Sequence, residues 1–535
     1  MISLKRTGVL SWTLAISSLI STNIGQAQAS PPQGAVKKDG AVTYPGEHIS
    51  WTPCGDITGH LVECSSIKVP IDHFNKDNSG NKTFNLSLAR LRGNNTNGDS
   101  KNIFYNPGGP GASAVGYLYG VGSDLISIVG EDFNIITVDP RGINGSTPIA
   151  SCYESEDIRA VMSKVPMNDL VTDAPFFGSW APNFAKSCSH ISGEYGKYIN
   201  TPQVAADMNS VLDAIGQEDL WYWGQSYGTL LGQTYAGLFP NRTGRMAIDG
   251  VVNQIGWYNK TMQSDYTDGK RVFWGFCDEC VKAGKEACPL AALADNADDL
   301  SRAIESFGEK IKSNEMAVYV NATNFGSVSY SHMWFYGILP ALYHALAFQP
   351  LAFVLSEAMR GNATLAYQAF GGAFTNVGLT VKDESVYFYR LNDGVSGKRF
   401  WPQDNAGMIK LLEPYYDVNP LTYGANSFFW AKAQWQIPKT HHYVPKQGVK
   451  TKYPLLLMSN QYDPVTAWDS ANAALSAFAD SRLVTLNAYG HCTFYQNSSC
   501  ANNYVKAYFV NGTMPSPGAT CHVGKDQYFP PLATS

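Results

Sequence analysis

Residues 219–228 read Asp-Leu-Trp-Tyr-Trp-Gly-Gln-Ser-Tyr-Gly. Leu220 to Trp223 is an unbroken apolar and aromatic run, the length of a strand buried on both faces. It breaks into Gly224-Gln225-Ser226-Tyr227-Gly228, a G-x-S-x-G pentapeptide, and a helix-compatible run follows from Thr229 to Leu238. Strand, sharp turn and helix is the setting in which that pentapeptide raises a serine nucleophile. Glycines two residues to either side let strand and helix close up without a Cβ clash. The same turn aims the N–H of Tyr227 at the place where an oxyanion forms. The pentapeptide by itself also fits a glycine-flanked serine in an ordinary loop; its flanks single out Ser226 as the nucleophile.

Outward from this unit the chain alternates strands and helices. Strands are predicted at Leu61–Ile71, Phe84–Leu91, Asn102–Tyr105, Phe133–Val138 and Met246–Val252. A helix over Gln203–Ile215 puts Val204, Met208, Val211, Leu212 and Ile215 on one face, with Gly216 as its stop. Ser146 to Asn200 reads as a polar, cysteine-bridged insertion without a legible function. From Asn253 to Lys452 the alternation ceases, and the helix-like runs Asp298–Ile311, Ser331–Ala347 and Leu351–Met359 stand among many aromatics. It then resumes with a strand at Leu455–Met458, a helix at Thr466–Ala479, a last strand at Leu483–Leu486 and a closing helix at Val505–Phe509. Resumption favours an insertion over an independent second domain. The fold class predicted is α/β: an α/β-hydrolase fold with a mostly parallel central sheet flanked by helices. A large, mainly helical cap enters between the sixth and seventh core strands. The divisions are a leader at 1–29, core at 30–253, cap at 254–452 and core again at 453–535.

A serine nucleophile needs a base, and the base needs an orienting acid. The base belongs on a loop after the last strand, where His491 stands in Tyr489-Gly490-His491-Cys492. His441 and His442 fall in the cap, and His522 beyond the last predicted strand. Asp463 follows the penultimate strand in Tyr462-Asp463-Pro464-Val465-Thr466, so the order Ser226, Asp463, His491 matches an α/β-hydrolase triad. Asp139 and Asp249 compete because each ends a strand. Asp139 lies in the turn Asp139-Pro140-Arg141-Gly142, where fixing Arg141 and the loop is its expected role. The loop Gly108-Gly109-Pro110-Gly111 lacks the G-K-[ST] of a phosphate cradle, so the Gly109 N–H is predicted as the second oxyanion donor beside the Tyr227 N–H. Pro110 has no N–H to give.

The whole chain sets the context. Among 535 residues, 44% are hydrophobic and 16% charged, which supports a packed core rather than disorder. A net charge of -5 gives no reason to expect nucleic acid or an anionic membrane as partner. Met1 to Ala29 reads as a secretory leader: Lys5 and Arg6, a mainly apolar Val9–Ile20, and Ala27-Gln28-Ala29 for cleavage. No later segment is apolar enough to span a membrane. Ten cysteines suit an oxidising compartment. Local spacing pairs Cys54 with Cys64, Cys152 with Cys188, Cys280 with Cys288 and Cys500 with Cys521, and leaves Cys277 and Cys492 to pair or stay free. Cys277 and Cys280 form a C-x-x-C, but no further ligand pair accompanies it, so a metal site is the poorer reading. Sequons at Asn81, Asn85, Asn94, Asn144, Asn241, Asn259, Asn321, Asn362, Asn497 and Asn511 fit a glycosylated eukaryotic exoprotein. No metal or organic cofactor is implied, and oligomeric state is not legible.

Asn106-Pro107-Gly108-Gly109-Pro110-Gly111, Asp139-Pro140-Arg141-Gly142, the Ser226 pentapeptide, Asp463-Pro464-Val465-Thr466 and Gly490-His491 together resemble the secreted tripeptidyl-aminopeptidase-like branch of the proline iminopeptidase family. The resemblance runs from about Cys54 to Cys521. It implies an α/β-hydrolase with a cap, acting as a serine exopeptidase on free N-termini of small peptides; some relatives are esterases. It also implies cap acids that hold the substrate ammonium, for which Asp265, Asp268, Asp278 and Glu279 qualify by location. Cys492 where glycine is usual, Trp468 for a smaller residue and the sequon at Asn144 depart from the pattern and bear on substrate choice. A carboxylesterase or secondary-metabolite hydrolase on the same scaffold is the alternative, and a non-catalytic binding protein the remote one.

Overall fold

The computed structural model describes residues 46–166, 168–259, 263–371, 384–418 and 426–531. The leader and its cleavage site lie outside them. The strands are β1 (Thr52–Ile57), β2 (His60–Pro70), β3 (Thr83–Leu91), β4 (Asn102–Asn106), β5 (Asn134–Val138), β6 (Leu220–Gln225), β7 (Thr243–Asp249), β8 (Met316–Asn321), β9 (Asn324–Val328), β10 (Leu456–Tyr462), β11 (Arg482–Tyr489) and β12 (Thr520–His522).

One ten-stranded sheet has the order β1-β2-β3-β5-β4-β6-β7-β10-β11-β12, and β8 and β9 pair apart from it. The edge from β1 through β3 to β5 pairs antiparallel. From β5 across β4, β6, β7, β10 and β11 to β12, every pairing is parallel. The central strands are apolar throughout because helices cover both faces: β4 is buried along its whole length, and β6 except at Trp221. The helix Ala114–Val129 leads from β4 to β5 on one side, whereas β6 lies on the other side of β4. A reversal of this kind opens a crevice at the carboxyl ends of the two strands, the usual ligand site of α/β sheets.

The predicted strands of the sheet are all observed, with ends shifted by up to a few residues. β1 and β12 were not predicted: β1 is half exposed and irregular between Pro53 and Gly55, and β12 has three residues. His522 is therefore in the edge strand, not beyond the sheet. The disulfides Cys54–Cys64, Cys152–Cys188, Cys280–Cys288 and Cys500–Cys521 form as expected, while Cys277 and Cys492 are buried thiols.

Between Asp249 and Leu456 no described residue joins the large sheet; this stretch supplies helices and the β8–β9 hairpin. Part of it has a core of its own, where Phe276, Leu300, Ile304, Trp334, Phe348 and Leu355 meet Tyr528 and Phe529 from the C-terminal segment. Another part, with Phe388, Tyr389, Leu391 and Trp435, packs into the same core as β2, β6 and β7. The insertion at 146–200 is mainly helical, and its helix Leu170–Ser192 packs Phe177 and Ala181 against Trp401, Leu412 and Trp430. The helix expected over Ser331–Ala347 is broken into Tyr330–Met333, a π-turn at Trp334–Ile338, Leu339–Ala341 and a 3-10 turn at Ala345–Ala347. Pro340, which cannot donate an N–H, sits at the break, and His344 is extended (φ -128°, ψ 127°). No described helix is long and apolar enough to cross a membrane.

Candidate active site

Ser226 terminates β6 at φ 53°, ψ -125°, and Tyr227 begins the helix Tyr227–Leu238. A non-glycine residue at positive φ is strained, and such strain clusters at functional sites. The flanking glycines are required by contact. A Cβ on Gly224 would lie 2.4 Å from the Gly228 carbonyl oxygen, and one on Gly228 would lie 2.5 Å from the Asn106 carbonyl oxygen. Gln225, buried beneath the turn, accepts hydrogen bonds from the hydroxyls of Tyr105 (2.8 Å) and Tyr495 (3.1 Å). The Tyr227 hydroxyl meets Thr201 Oγ1 at 2.6 Å, and Thr201 in turn donates to Asp393. Both ends of the turn are thereby anchored, and Ser226 stays half-exposed.

His491 lies in the loop after β11, with Nδ1 2.9 Å from Asp463 Oδ2 and 3.1 Å from Oδ1. Thr466 Oγ1 is 3.2 Å from the same nitrogen. Asp463 is fully buried, and its carboxylate also accepts the N–H groups of Val465 (3.0 Å), Thr466 (2.8 Å) and Cys492 (3.1 Å). Those bonds fix the carboxylate plane and so the imidazole's orientation. The Asp249 carbonyl ties the two halves of the site together, since it accepts from the Ser226 N–H at 3.0 Å and from the Cys492 thiol at 3.4 Å. Burial pushes that thiol's pKa well up, which disfavours the thiolate.

The competing acids have other partners. Asp249 accepts from the Thr493 N–H (2.7 Å), the Thr493 hydroxyl (3.0 Å) and the Phe494 N–H (2.9 Å), which holds the loop that follows His491. Burial raises its pKa to about 6. Asp139 does not fix Arg141. It accepts from the Ser113 hydroxyl (2.9 Å), the Val115 N–H (3.1 Å), Asn144 Nδ2 (3.0 Å) and the Gly145 N–H (3.2 Å), so it joins its own loop to a helix start. Arg141 instead forms a buried two-point pair with Asp207, at 2.8 and 2.6 Å.

In the glycine-rich loop, Gly108 is the residue pressed on the Ser226 turn. A Cβ there would lie 2.8 Å from Ser226 Cβ and 2.9 Å from the Tyr227 nitrogen. Gly109 follows at φ 111°. His441 stacks on Phe74 at 3.8 Å between ring centroids, in a surface contact away from this constellation.

The candidate ammonium acids divide. Asp278 and Glu279 pair with Lys282 on one helix. Asp265 is 1% exposed, accepts from the Asn253 N–H (2.9 Å) and the Ser470 hydroxyl (2.8 Å), and is pushed by burial to about 7. Asp268, half-buried, accepts from the Trp468 N–H at 3.3 Å and is raised to about 6, first by burial and also by the Asp463 charge. Among the sequons, Asn85 is half-buried in β3 and the other asparagines are exposed. Asn144 Nδ2 already donates to Ser113 and Asp139, and a glycan would replace one of those hydrogens.

Two sequence profiles match the chain. The profile described as alpha/beta hydrolase fold matches residues 101–276, and the one described as TAP-like protein matches residues 423–521. Together they span the Ser226 turn and the Asp463–His491 pair. The chain has the α/β-hydrolase fold and is similar to TAP-like proteins. Along most of its length it is 26% identical to the serine protease Hip1 of Mycobacterium tuberculosis, covering 89% of this chain and 91% of that one. It is 24% identical to a tripeptidyl aminopeptidase of Streptomyces lividans over 86% of this chain and 83% of that one. It is also 24% identical to carboxylesterase B of M. tuberculosis, over 94% and 98%.

Sequence reasoning did not reach three groups in this hydrolase site: Thr466, Tyr343 and His344. Thr466 stands inside a quoted motif, so its closeness to the aspartate was legible. Tyr343 and His344 carried no signal, because the segment holding them read as an uninterrupted helix. The Tyr343 carbonyl accepts the His491 N–H at 2.8 Å, and the Tyr343 ring meets the imidazole edge-on with centroids 5.0 Å apart.

Proposed function

We propose that this hydrolase is a secreted serine exopeptidase that cleaves short peptides from a free N-terminus through an acyl-enzyme. The observation carrying the mechanism is the Asp463–His491 bond, on a loop tied through the Asp249 carbonyl to the strained Ser226 turn. In this reading His491 takes the Ser226 hydroxyl proton as the oxygen attacks the scissile carbonyl. Asp463 holds the imidazole with Nδ1 engaged and offsets its positive charge. The N–H groups of Tyr227 and Gly109 serve the oxyanion. His491 then gives the proton to the leaving amine, and water resolves the acyl-enzyme by the same route in reverse.

Relatives named as a serine protease and a tripeptidyl aminopeptidase, matched along most of their length, support the peptidase choice. The stretch 254–452 acts as the cap, which admits small peptides and excludes folded chains. Of the four cap acids, Asp268 is the one best placed to meet an ammonium group: it is half-buried and near Asp463, while Asp278 and Glu279 are occupied and Asp265 is enclosed. The leader and four disulfides support secretion.

Carboxylesterase activity is the second reading, favoured by the esterase relative that this chain matches over 98% of its length. A matched set of tripeptidyl amides, their N-acetylated forms and simple esters separates the two. Turnover of amides that acetylation abolishes supports the exopeptidase; turnover of esters alone replaces it with the esterase.

A further inference from the structure

In a serine hydrolase the base must reach the leaving atom, so whatever packs on the free face of the imidazole also walls the leaving group's site. Nδ1 of His491 is engaged by Asp463 and Thr466, which leaves Nε2 for proton transfer. On that imidazole stands Tyr343, its ring edge-on at 5.0 Å and 64° and half-buried. It is delivered there by the break in the helices before it. The chain leaves Leu339–Ala341, bonds His344 N–H back to the Ala341 carbonyl, and turns the Tyr343 carbonyl onto both the His491 N–H (2.8 Å) and Gln496 Nε2 (3.3 Å). The fit is close: a Cβ on Gly490 would lie 2.9 Å from the Tyr343 oxygen. Behind it His344 is 6% exposed, its ring 4.7 Å from that of Tyr495 and its Nε2 buried without a partner. Burial, with the His491 charge, holds His344 far down at a pKa of about 3, so it adds no charge beside the imidazolium.

We infer that Tyr343 is the specificity residue for the leaving group, its ring receiving the side chain of the residue just beyond the scissile bond and favouring apolar and aromatic ones. The inference rests on the serine-hydrolase reading, and on the exopeptidase only for the leaving group being an amine. The step concerned is acylation. The Ser226 Oγ–carbon bond forms, the carbon–nitrogen bond breaks, and the hydroxyl proton passes through His491 Nε2 to the departing nitrogen. Deacylation, in which water attacks an acyl-enzyme that no longer holds the leaving group, does not involve this contact.

The backbone carbonyl that holds the His491 N–H survives any substitution at Tyr343, which makes a side-chain test clean. The experiment compares unaltered protein, Tyr343→Ala and Tyr343→Phe on substrates with one common acyl part and leaving groups of ammonia, glycine, leucine and phenylalanine. Tyr343→Ala is expected to lower kcat/KM for the phenylalanine-releasing substrate about 10- to 100-fold more than for the ammonia-releasing one, as loss of an apolar contact does. Tyr343→Phe keeps the original order, and single-turnover deacylation of the shared acyl-enzyme is the same in all three proteins. A loss of equal size across the leaving groups, a slowed deacylation, or no change would overturn the inference. Failure of the peptidase reading shows separately, as absence of amide cleavage by the unaltered protein; the same comparison then runs on esters with alcohols of matched size. Undiminished turnover by Ser226→Ala would remove the serine-hydrolase reading itself.

Discussion

The sheet and the stretch between Asp249 and Leu456 obey different rules. Each central strand of the sheet is short, apolar and followed by a turn that a few residue types allow, so its place follows from its own sequence. The inserted stretch has no such local grammar, and its placement rests on distant contacts. The Tyr389 hydroxyl donates to the Arg141 carbonyl at 2.7 Å, Trp257 Nε1 donates to Asp393 at 2.9 Å, and the Tyr343 carbonyl receives the N–H of His491. The proposed reacting groups come from loops of the sheet, and what surrounds them comes from the insertion. Substitutions should divide the same way: those at the sheet's strand ends abolish chemistry, and those in the insertion redistribute it among substrates.

The division is sharpest at the proposed triad. Ser226→Ala should lower kcat by ~10⁴-fold or more, and Asp463→Asn by ~10³- to 10⁴-fold because the imidazole is then held in the wrong tautomer. Both variants should keep the fold by circular dichroism. Asp207→Ala tests the sheet as a scaffold. It leaves the fully buried Arg141 uncompensated, and should cost ~3–5 kcal/mol in denaturant unfolding, with turnover retained by the folded fraction. Across the boundary, Tyr389→Phe removes one hydrogen bond between insertion and core. It should cost ~1 kcal/mol, and a loss in kcat as large as that of Ser226→Ala would break the comparison.

A further effect concerns pH. Burial raises Asp265 to about 7, above its unfolded value, so its contribution is fully present below the unfolded pKa of ~4 and is lost as pH rises through about 7. Asp265→Asn removes that loss while keeping an oxygen for Asn253 and Ser470. Relative to the unaltered protein, the variant should gain roughly 3 kcal/mol in stability between pH 4.5 and 8. An unchanged difference across that range would show that Asp265 is already ionised at low pH.

The proposed site was legible so far as the strained Ser226 turn demands Gly224 and Gly228, and the proposed triad members follow strands in a set order. The four disulfides are the local pairings that spacing favoured, although spacing alone does not fix connectivity. Asp139 misled: its turn motif points to Arg141, but the arginine reaches past it to a helix 66 residues on, a choice that only packing makes. Tyr343 and His344 were hidden for a related reason. An apolar run from Ser331 to Ala347 has helical periodicity whether or not Pro340 breaks it, and the break is what brings the Tyr343 carbonyl to the catalytic loop. His522 was set outside the sheet because three residues of β12 carry too little pattern to mark a strand.

The most direct test of the central claim pairs one tripeptidyl amide with its N-acetylated form, assayed on the purified protein and on Ser226→Ala. Release of the leaving amine is expected from the free-amine substrate, with loss of that release on acetylation and none above background from Ser226→Ala. Equal cleavage of both forms would contradict an exopeptidase, and cleavage that survives in Ser226→Ala would contradict the triad.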